Sequence, residues 1–349
     1  MATQRGRIQI TGFDPDDVLE RESLTDWADQ KTTEEAVSRR KRAFRRFIRN
    51  RTALVGLAVV ALLTFLTVFA RPITIAGVTV QPFSLAPYEP FTRVSFQGAD
   101  AGVYEAPSWD HPMGTDRDGR DIFSRVLFGG RFSISIGFVA VFASAAFGTI
   151  YGAVAGYYGN WVDEGLMRIV DVIFAFPGLV LALILVAMFR GTVSTYWVLL
   201  LAFVLPGWAT YARLIRGEVL KVKQNEYVLA AKALGARNRS VILKHIVPNS
   251  IAPVIVQASL AVGTTVIGVA ALGFLGLGFT TQPEWGSMLD GARETVVPGP
   301  GGTPEWWATF FPGLAIFAFV MAMNMIGDGI NDALDAQEVS SVQGGGGGG

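Results

Sequence analysis

The sequence predicts an all-α integral membrane protein of six transmembrane helices, and three observations carry that prediction. Of 349 residues, 51% are hydrophobic and 40 are glycine, while only 17% are charged; soluble domains carry about 25% charge. The charges are segregated, leaving six long apolar stretches almost free of them. The basic residues also collect in particular connections. A crossing needs about 20 apolar residues, and its backbone must satisfy its own hydrogen bonds, which a helix does.

Residues 1–38 hold nine acids and four bases, an acidic tail. Residues 39–51 carry eight bases and no acid, a basic juxtamembrane segment. The first span is 52–70. It starts too deep in the chain for a cleavable signal peptide and is expected to be an anchor. Residues 71–130 form an external loop. The core, 131–335, places spans at about 132–158, 169–189, 192–212, 250–276 and 306–327. The fifth apolar run continues to Phe279, too far for one straight crossing at about 1.5 Å per residue. Its glycine-rich end, Gly273–Gly278, is expected to leave the helix. The loop at 213–249 carries eight bases and two acids, so the positive-inside rule places it and both termini in the cytoplasm. Residues 336–349 read as a flexible tail ending in six glycines.

Several function classes fall away. Net charge is zero, which gives no reason to expect a nucleic-acid partner. There is no cysteine, and the two histidines, His111 and His245, are far apart in sequence; thiol chemistry and a multi-histidine metal site are excluded. None of the six lysines follows a glycine, so the GxxxxGK[ST] phosphate loop is absent. HExxH and GxSxG are absent too. A non-catalytic chain without a metal or cofactor of its own is expected.

Within the spans, Ala140, Ser144, Gly148, Gly152 and Gly156 recur at four-residue steps on one helix face. Small residues at that spacing let another helix approach closely, as tight packing or as part of a substrate groove. Pro177 and Pro206 free backbone carbonyls and are expected to bend their helices. Asp171 lies near the cytoplasmic end of span three. It is either an intramembrane functional acid or one half of an i,i+3 ion pair with Arg168. No other acid or base lies in a span, which is unusual for an ion-driven carrier. Energy is expected to enter elsewhere.

The 213–249 loop is the most informative segment. From 226 it reads EYVLAAKALGARNRSVILKHIVPN. Asn225 is a candidate N-cap and Glu226 suits the positive end of a helix dipole. Tyr227, Ala230, Ala231 and Leu234 form one apolar face, and Gly235 falls where helices end in the left-handed conformation. A second helical stretch, Arg239 to Val247, is expected to stop at Pro248. Such a helix can lie in a partner's groove or rest on anionic lipid.

Among the outer residues, Asp116, Asp118 and Asp121 alternate with Arg117 and Arg120, the pattern of a solvated loop or helix start. His111 is expected at the surface and His245 packed in the loop. Trp306 and Trp307 are expected as interfacial anchors on the outer side.

The loop resembles the EAA coupling loop of binding-protein-dependent ABC importer permeases. Ala230, Ala231, Gly235 and Pro248 keep its spacing, while Leu229 stands for Glu, His245 for Ile and Val247 for Leu. HPMGTDRDGRDIFSRVLFGGRFS at 111–133, PEWGSML at 283–289 and GDGINDALD at 327–335 resemble the dipeptide, oligopeptide and nickel branch, in its "C"-type subunit. The resemblance implies a type I ABC importer permease fold in the cytoplasmic (inner) membrane of a prokaryote. It implies peptide import by alternating access, with Glu226, Tyr227, Ala230, Ala231, Gly235 and Pro248 coupling to the motor. The implied partners are a second permease subunit in a heterodimer, two cytoplasmic ATPases holding ATP and Mg, an external solute-binding protein, and membrane lipid. Import of nickel or oligosaccharide, or an ATPase-independent carrier, are the alternatives.

Overall fold

The first crossing begins at a polar cap. Residues 41–49 are helical and meet α1 (Arg51–Val68) at Asn50, whose side chain accepts from the Ala53 N–H at 3.1 Å. This cap satisfies one of the four N–H groups that every helix start leaves open. The structure is a computed structural model that describes residues 41–75, 78–94, 104–189, 191–278, 282–296 and 305–343. The acidic tail at 1–38 and the terminal glycines lie outside the described residues.

An antiparallel hairpin of β1 (Ile73–Ile75) and β2 (Val78–Gln81) follows α1. It is an addition to the all-α expectation, and its alternating β-branched residues account for it. Then come α2 (Ile122–Tyr158), α3 (Asn160–Phe174), α4 (Gly178–Phe189), α5 (Thr195–Val222), α6 (Glu226–Ala233), α7 (Ala252–Leu272), α8 (Trp285–Gly291) and α9 (Trp306–Gln343). Among the described residues, five helices are long and apolar enough to cross a membrane, or six when one bent pair is taken as a span.

That pair stands where one span was expected at 169–189, and it is bent at Pro177, where a bend was expected. Helices α3 and α4 meet at a 78° bend. Pro177 lies in the break; its ring disfavours helical geometry at Phe176, so the helix ends before it. Two further boundaries move. Helix α5 runs ten residues past the uncharged stretch, to Val222, and α9 stays helical to Gln343, where a flexible tail was expected from 336. The glycine-rich end of α7 behaves as its sequence suggests. Gly273–Leu277 forms one wide turn, with Gly276 left-handed at φ 76°.

The small-residue stripe of α2 is filled by α5. A β-carbon at Gly148 would lie 2.4 Å from the Trp208 carbonyl, and one at Gly152 would lie 2.1 Å from that of Ala212. Hydrophobic transfer gives little drive between helices in lipid, so this contact between backbones is what holds the pair. Helix α9 closes the bundle in the same manner. Gly56 of α1 would meet the Ala322 carbonyl at 2.6 Å, and the Asn50 amide donates to Asp332 at 3.1 Å. Phe319 is fully buried, edge-on to Phe138 of α2 and Trp285 of α8.

Candidate functional site

Helix α6 hangs beneath the bundle on a few specific contacts. Its one buried side chain is Val228, which joins the core cluster containing Tyr157, Val241, Ile242 and Ile246. Lys223 donates to the Gly156 carbonyl at 2.8 Å, near the end of α2. Lys232 sits 4.6 Å from the centre of the Tyr157 ring, a cation–π contact of about 0.5–1 kcal/mol at an exposed site. The Tyr157 hydroxyl in turn donates to Asn238 at 2.8 Å. The foot of α2 therefore touches the loop both before and after α6.

The C-terminus of α6 closes as a Schellman motif. The Ala236 N–H reaches the Ala231 carbonyl at 3.1 Å and the Gly235 N–H reaches that of Lys232 at 3.0 Å, the pair of bonds that defines it. Gly235 is left-handed at φ 79° with open space around it. The backbone, not crowding, demands glycine here.

Glu226 is the exposed first residue of α6. Tyr227, Leu229 and Leu234 are exposed too, Leu234 by 89%; Ala230 is exposed and Ala231 half-buried. The apolar face read from the spacing thus points away from the chain's own core, and Val228 is the residue turned inward. Asn225 occupies the N-cap position but its side chain makes no capping bond; its amide instead lies 3.5 Å from the Tyr227 hydroxyl. Pro248 is exposed and does not end the helix. Val241–Ile246 forms a wide π-type turn and Val247–Ser250 continues beyond it. Proline cannot donate to the carbonyl four residues back, and the wider turn absorbs the loss. His245 is half-buried in that turn, and its carbonyl accepts from Asn249 at 2.6 Å.

Asp171 corrects another expectation. It pairs with Arg213 of α5 at 2.7 Å, while Arg168 turns to Glu164 at 3.6 Å. Asp163 holds Arg216 through two bonds of 2.5 and 2.6 Å. Two carboxylate–guanidinium pairs therefore clamp α3 to the extension of α5. Sequence reasoning missed Arg213 and Arg216 because they were counted only as loop charge. It missed Val228 and Tyr157 because neither carries a motif.

The opposite end of α2 is dense and polar. Asp121 caps α2, accepting from the Ser124 N–H at 2.7 Å, and lies 3.1 Å from His111 Nδ1. His111 is buried, not at the surface. Asp116 accepts from the Arg120 N–H and Nε at 3.0 and 2.9 Å, and Arg120 also pairs with Asp118. Trp307 is buried as well and donates to the Thr115 carbonyl at 3.2 Å; only Trp306, 53% exposed, fits an interfacial anchor. Trp285 donates to the Val126 carbonyl at 2.9 Å. Glu284 is fully buried and accepts from the N–H groups of Gly286 and Ser287 at 2.7 and 2.9 Å. Burial pushes its carboxyl up to about 7, against the opposing pull of those two bonds.

Two cavities flank these contacts. One of about 250 Å³ lies at the start of α2 among Asp116, Arg117, Arg120, Arg125 and Asp290. The other, of about 370 Å³, lies among α2, α5, α7 and the bend between α3 and α4. Among the described residues, no three His, Asp or Glu side chains gather where they could hold a metal ion.

Comparison with known proteins places this geometry. Residues 148–338 match the family described as "Binding-protein-dependent transport system inner membrane component", and residues 38–107 match "N-terminal TM domain of oligopeptide transport permease C". The chain is 39% identical over 301 residues to the dipeptide transport system permease protein DppC of Alkalihalophilus pseudofirmus, covering 86% of this chain and 90% of the relative. It is 40% identical over 293 residues to the glutathione transport system permease protein GsiD of Shigella dysenteriae, covering 84% and 88%. Among solved structures it is similar to a chain of the inward-facing MetNI methionine ABC transporter, with TM-score 0.46 and 16% identity over 59% of this chain and 96% of that one.

Proposed function

Because the chain belongs to the family of binding-protein-dependent transport system inner membrane components, a multi-pass permease subunit of a bacterial ABC importer, we propose that its cargo is a short peptide and that α6 couples it to the motor. The relatives named for dipeptide and for glutathione support a peptide of two or three residues. The chain itself catalyses nothing. ATP and Mg are held by two ATPase subunits on the cytoplasmic side, where the 213–249 loop and both termini lie. A second, similar permease completes a heterodimer in the lipid, and an external binding protein delivers the peptide.

The single observation that carries the coupling role is the posture of α6. Tyr227, Ala230 and Leu234 are exposed, while Val228 and Lys232 of the same helix, and Lys223 just before it, tie it to α2. A short helix with an exposed apolar face fits a partner's groove. When the ATPases close on ATP, they move α6 together with the foot of α2. Because α2 is packed on α5 backbone to backbone, that push reaches the cavity beside the bent α3–α4 pair, which then changes the side to which it opens.

The test is purification of the chain from its native membrane in mild detergent, with identification of bound proteins and assay of peptide uptake after reconstitution. Two copies of an ATPase, one other permease and ATP-dependent dipeptide uptake are expected. A chain recovered alone, or uptake that persists without nucleotide and follows an ion gradient, refutes the reading.

A further inference from the structure

The inner cavity has an unusual balance of groups for a space inside a membrane bundle. None of its lining residues is charged, yet several are polar. Gln257, half-buried on α7, makes no hydrogen bond among the described residues. Thr210 of α5 is exposed and its hydroxyl is likewise unbonded among them. The Tyr211 hydroxyl is buried with no partner, although Tyr211 as a whole is only 3% exposed. By contrast, Thr264 and Thr265 on the same lining satisfy themselves on the Ala261 carbonyl at 3.0 and 2.7 Å.

An amide or hydroxyl left unsatisfied away from water is destabilising. Of the three, the Tyr211 hydroxyl is buried in that sense, while Gln257 and Thr210 stand open on the cavity of about 370 Å³; an occupant that offers both donors and acceptors can bond all of them. A peptide bond supplies one N–H and one C=O, the pair an amide side chain such as that of Gln257 can meet at once.

We propose that Gln257, with Thr210 and Tyr211, forms a transit subsite that hydrogen-bonds the backbone amide of a short peptide as it crosses. This deepens the reading of the chain as a peptide permease and rests on it. The subsite recognises what all short peptides share, leaving side-chain selection to other subunits. It lies on the side of the bundle nearer α6, since Gln257 sits in the second turn of α7, close to the 213–249 loop.

The assembled importer, with its permease partner, ATPases and binding protein, is reconstituted in proteoliposomes. ATP-driven uptake is then compared for alanyl-alanine and for its analogue methylated on the peptide nitrogen, each at saturating concentration. For Gln257→Leu, uptake of alanyl-alanine is expected to fall about five- to tenfold, the loss of one hydrogen bond, while uptake of the methylated analogue falls less than twofold. Thr210→Val is expected to show the same preference more weakly, and it decides the matter if the Gln257 variant does not assemble. Equal losses for both peptides would mean a packing or subunit-contact role, and no loss for either would mean no role; both overturn the subsite. A wild-type complex that carries neither peptide instead overturns the peptide reading, and the subsite with it. Wild-type uptake with an unchanged Gln257→Leu rejects the subsite alone.

Discussion

Helices α8 and α6 are attached to the two ends of α2 in opposite ways. Near its start, Trp285 is fully buried and its ring lies against Gly129 and Gly130. Next to it, a β-carbon on Gly286 would come within 2.0 Å of the Ala270 carbonyl. Near its finish, some 40 Å away at about 1.5 Å per residue, Gly152 and Gly156 still pack on α5, but the loop that carries α6 is held by a lysine on a carbonyl, a lysine on a ring and one buried valine. The first attachment is closed by the chain's own backbone and the Trp285 ring. The second leaves Tyr227, Leu229 and Leu234 exposed, an arrangement that is complete only with a partner. Stability is concentrated where the chain packs on itself. Motion can enter where it does not.

The largest expected effect tests the closed end. Gly286→Ala forces a methyl group into the backbone of α7, where neither side can yield, and overpacking of that kind costs about 1–3 kcal/mol or more. Little of this variant is expected to accumulate in membranes, as read by immunoblot of the membrane fraction against wild type. Normal accumulation would mean that α8 can lift off α7, and the contrast between the two ends would collapse.

The next effect tests the open end. Gly235→Asp is expected to abolish uptake while leaving membrane level and helix content unchanged. No atom crowds position 235, so the change is confined to the backbone. A side chain in the left-handed region costs about 1–2 kcal/mol, and the Schellman bonds that set the course of the chain after α6 are lost. Gly235→Asn should retain part of the uptake, since asparagine tolerates that region better. Full uptake by the aspartate variant would count heavily against coupling through α6.

The same contrast explains what could be read from the sequence alone. Crossings were legible because the bilayer imposes length and apolarity on every one of them. The motif residues at 230, 231 and 235 were legible because spacing on a short helix is local. Gly235 in particular announces its own conformation. What stayed hidden depended on residues distant in sequence. Asp171 and Arg168 look like a pair three residues apart, but α5 continues past the apolar run and brings Arg213 closer. His111 and Trp307 look like surface residues, yet the cap at Asp121 and the Thr115 carbonyl draw them inside. The apolar face of α6 is read from spacing as a face for a partner or for lipid, and its large residues, Tyr227 and Leu234, are exposed; Val228, the residue that joins the core, carries no such signal. Periodicity says which residues lie together, and only packing says which side the core is on.

Glu284 gives the smallest expected effect and one of definite sign. It belongs to the closed end, where burial raises its carboxyl from an ordinary 4.5 to about 7. Between those values the folded chain holds a proton that the unfolded chain has released. Stability must therefore fall as pH rises through that window. Below it the group is protonated in both states, and above it ionised in both, so the dependence flattens at either side. A glutamine amide in the same place cannot titrate. In detergent, the unfolding temperature of wild type minus that of Glu284→Gln should decline by a few degrees from pH 4.5 to 7 and then level off; taking the difference cancels the other carboxylates. A difference that instead rises with pH would mean that the two backbone N–H bonds outweigh burial. The loop joining α7 to α8 would then be held by an ionised carboxylate, and this end of the bundle would be polar in its energetics as well as in its lining.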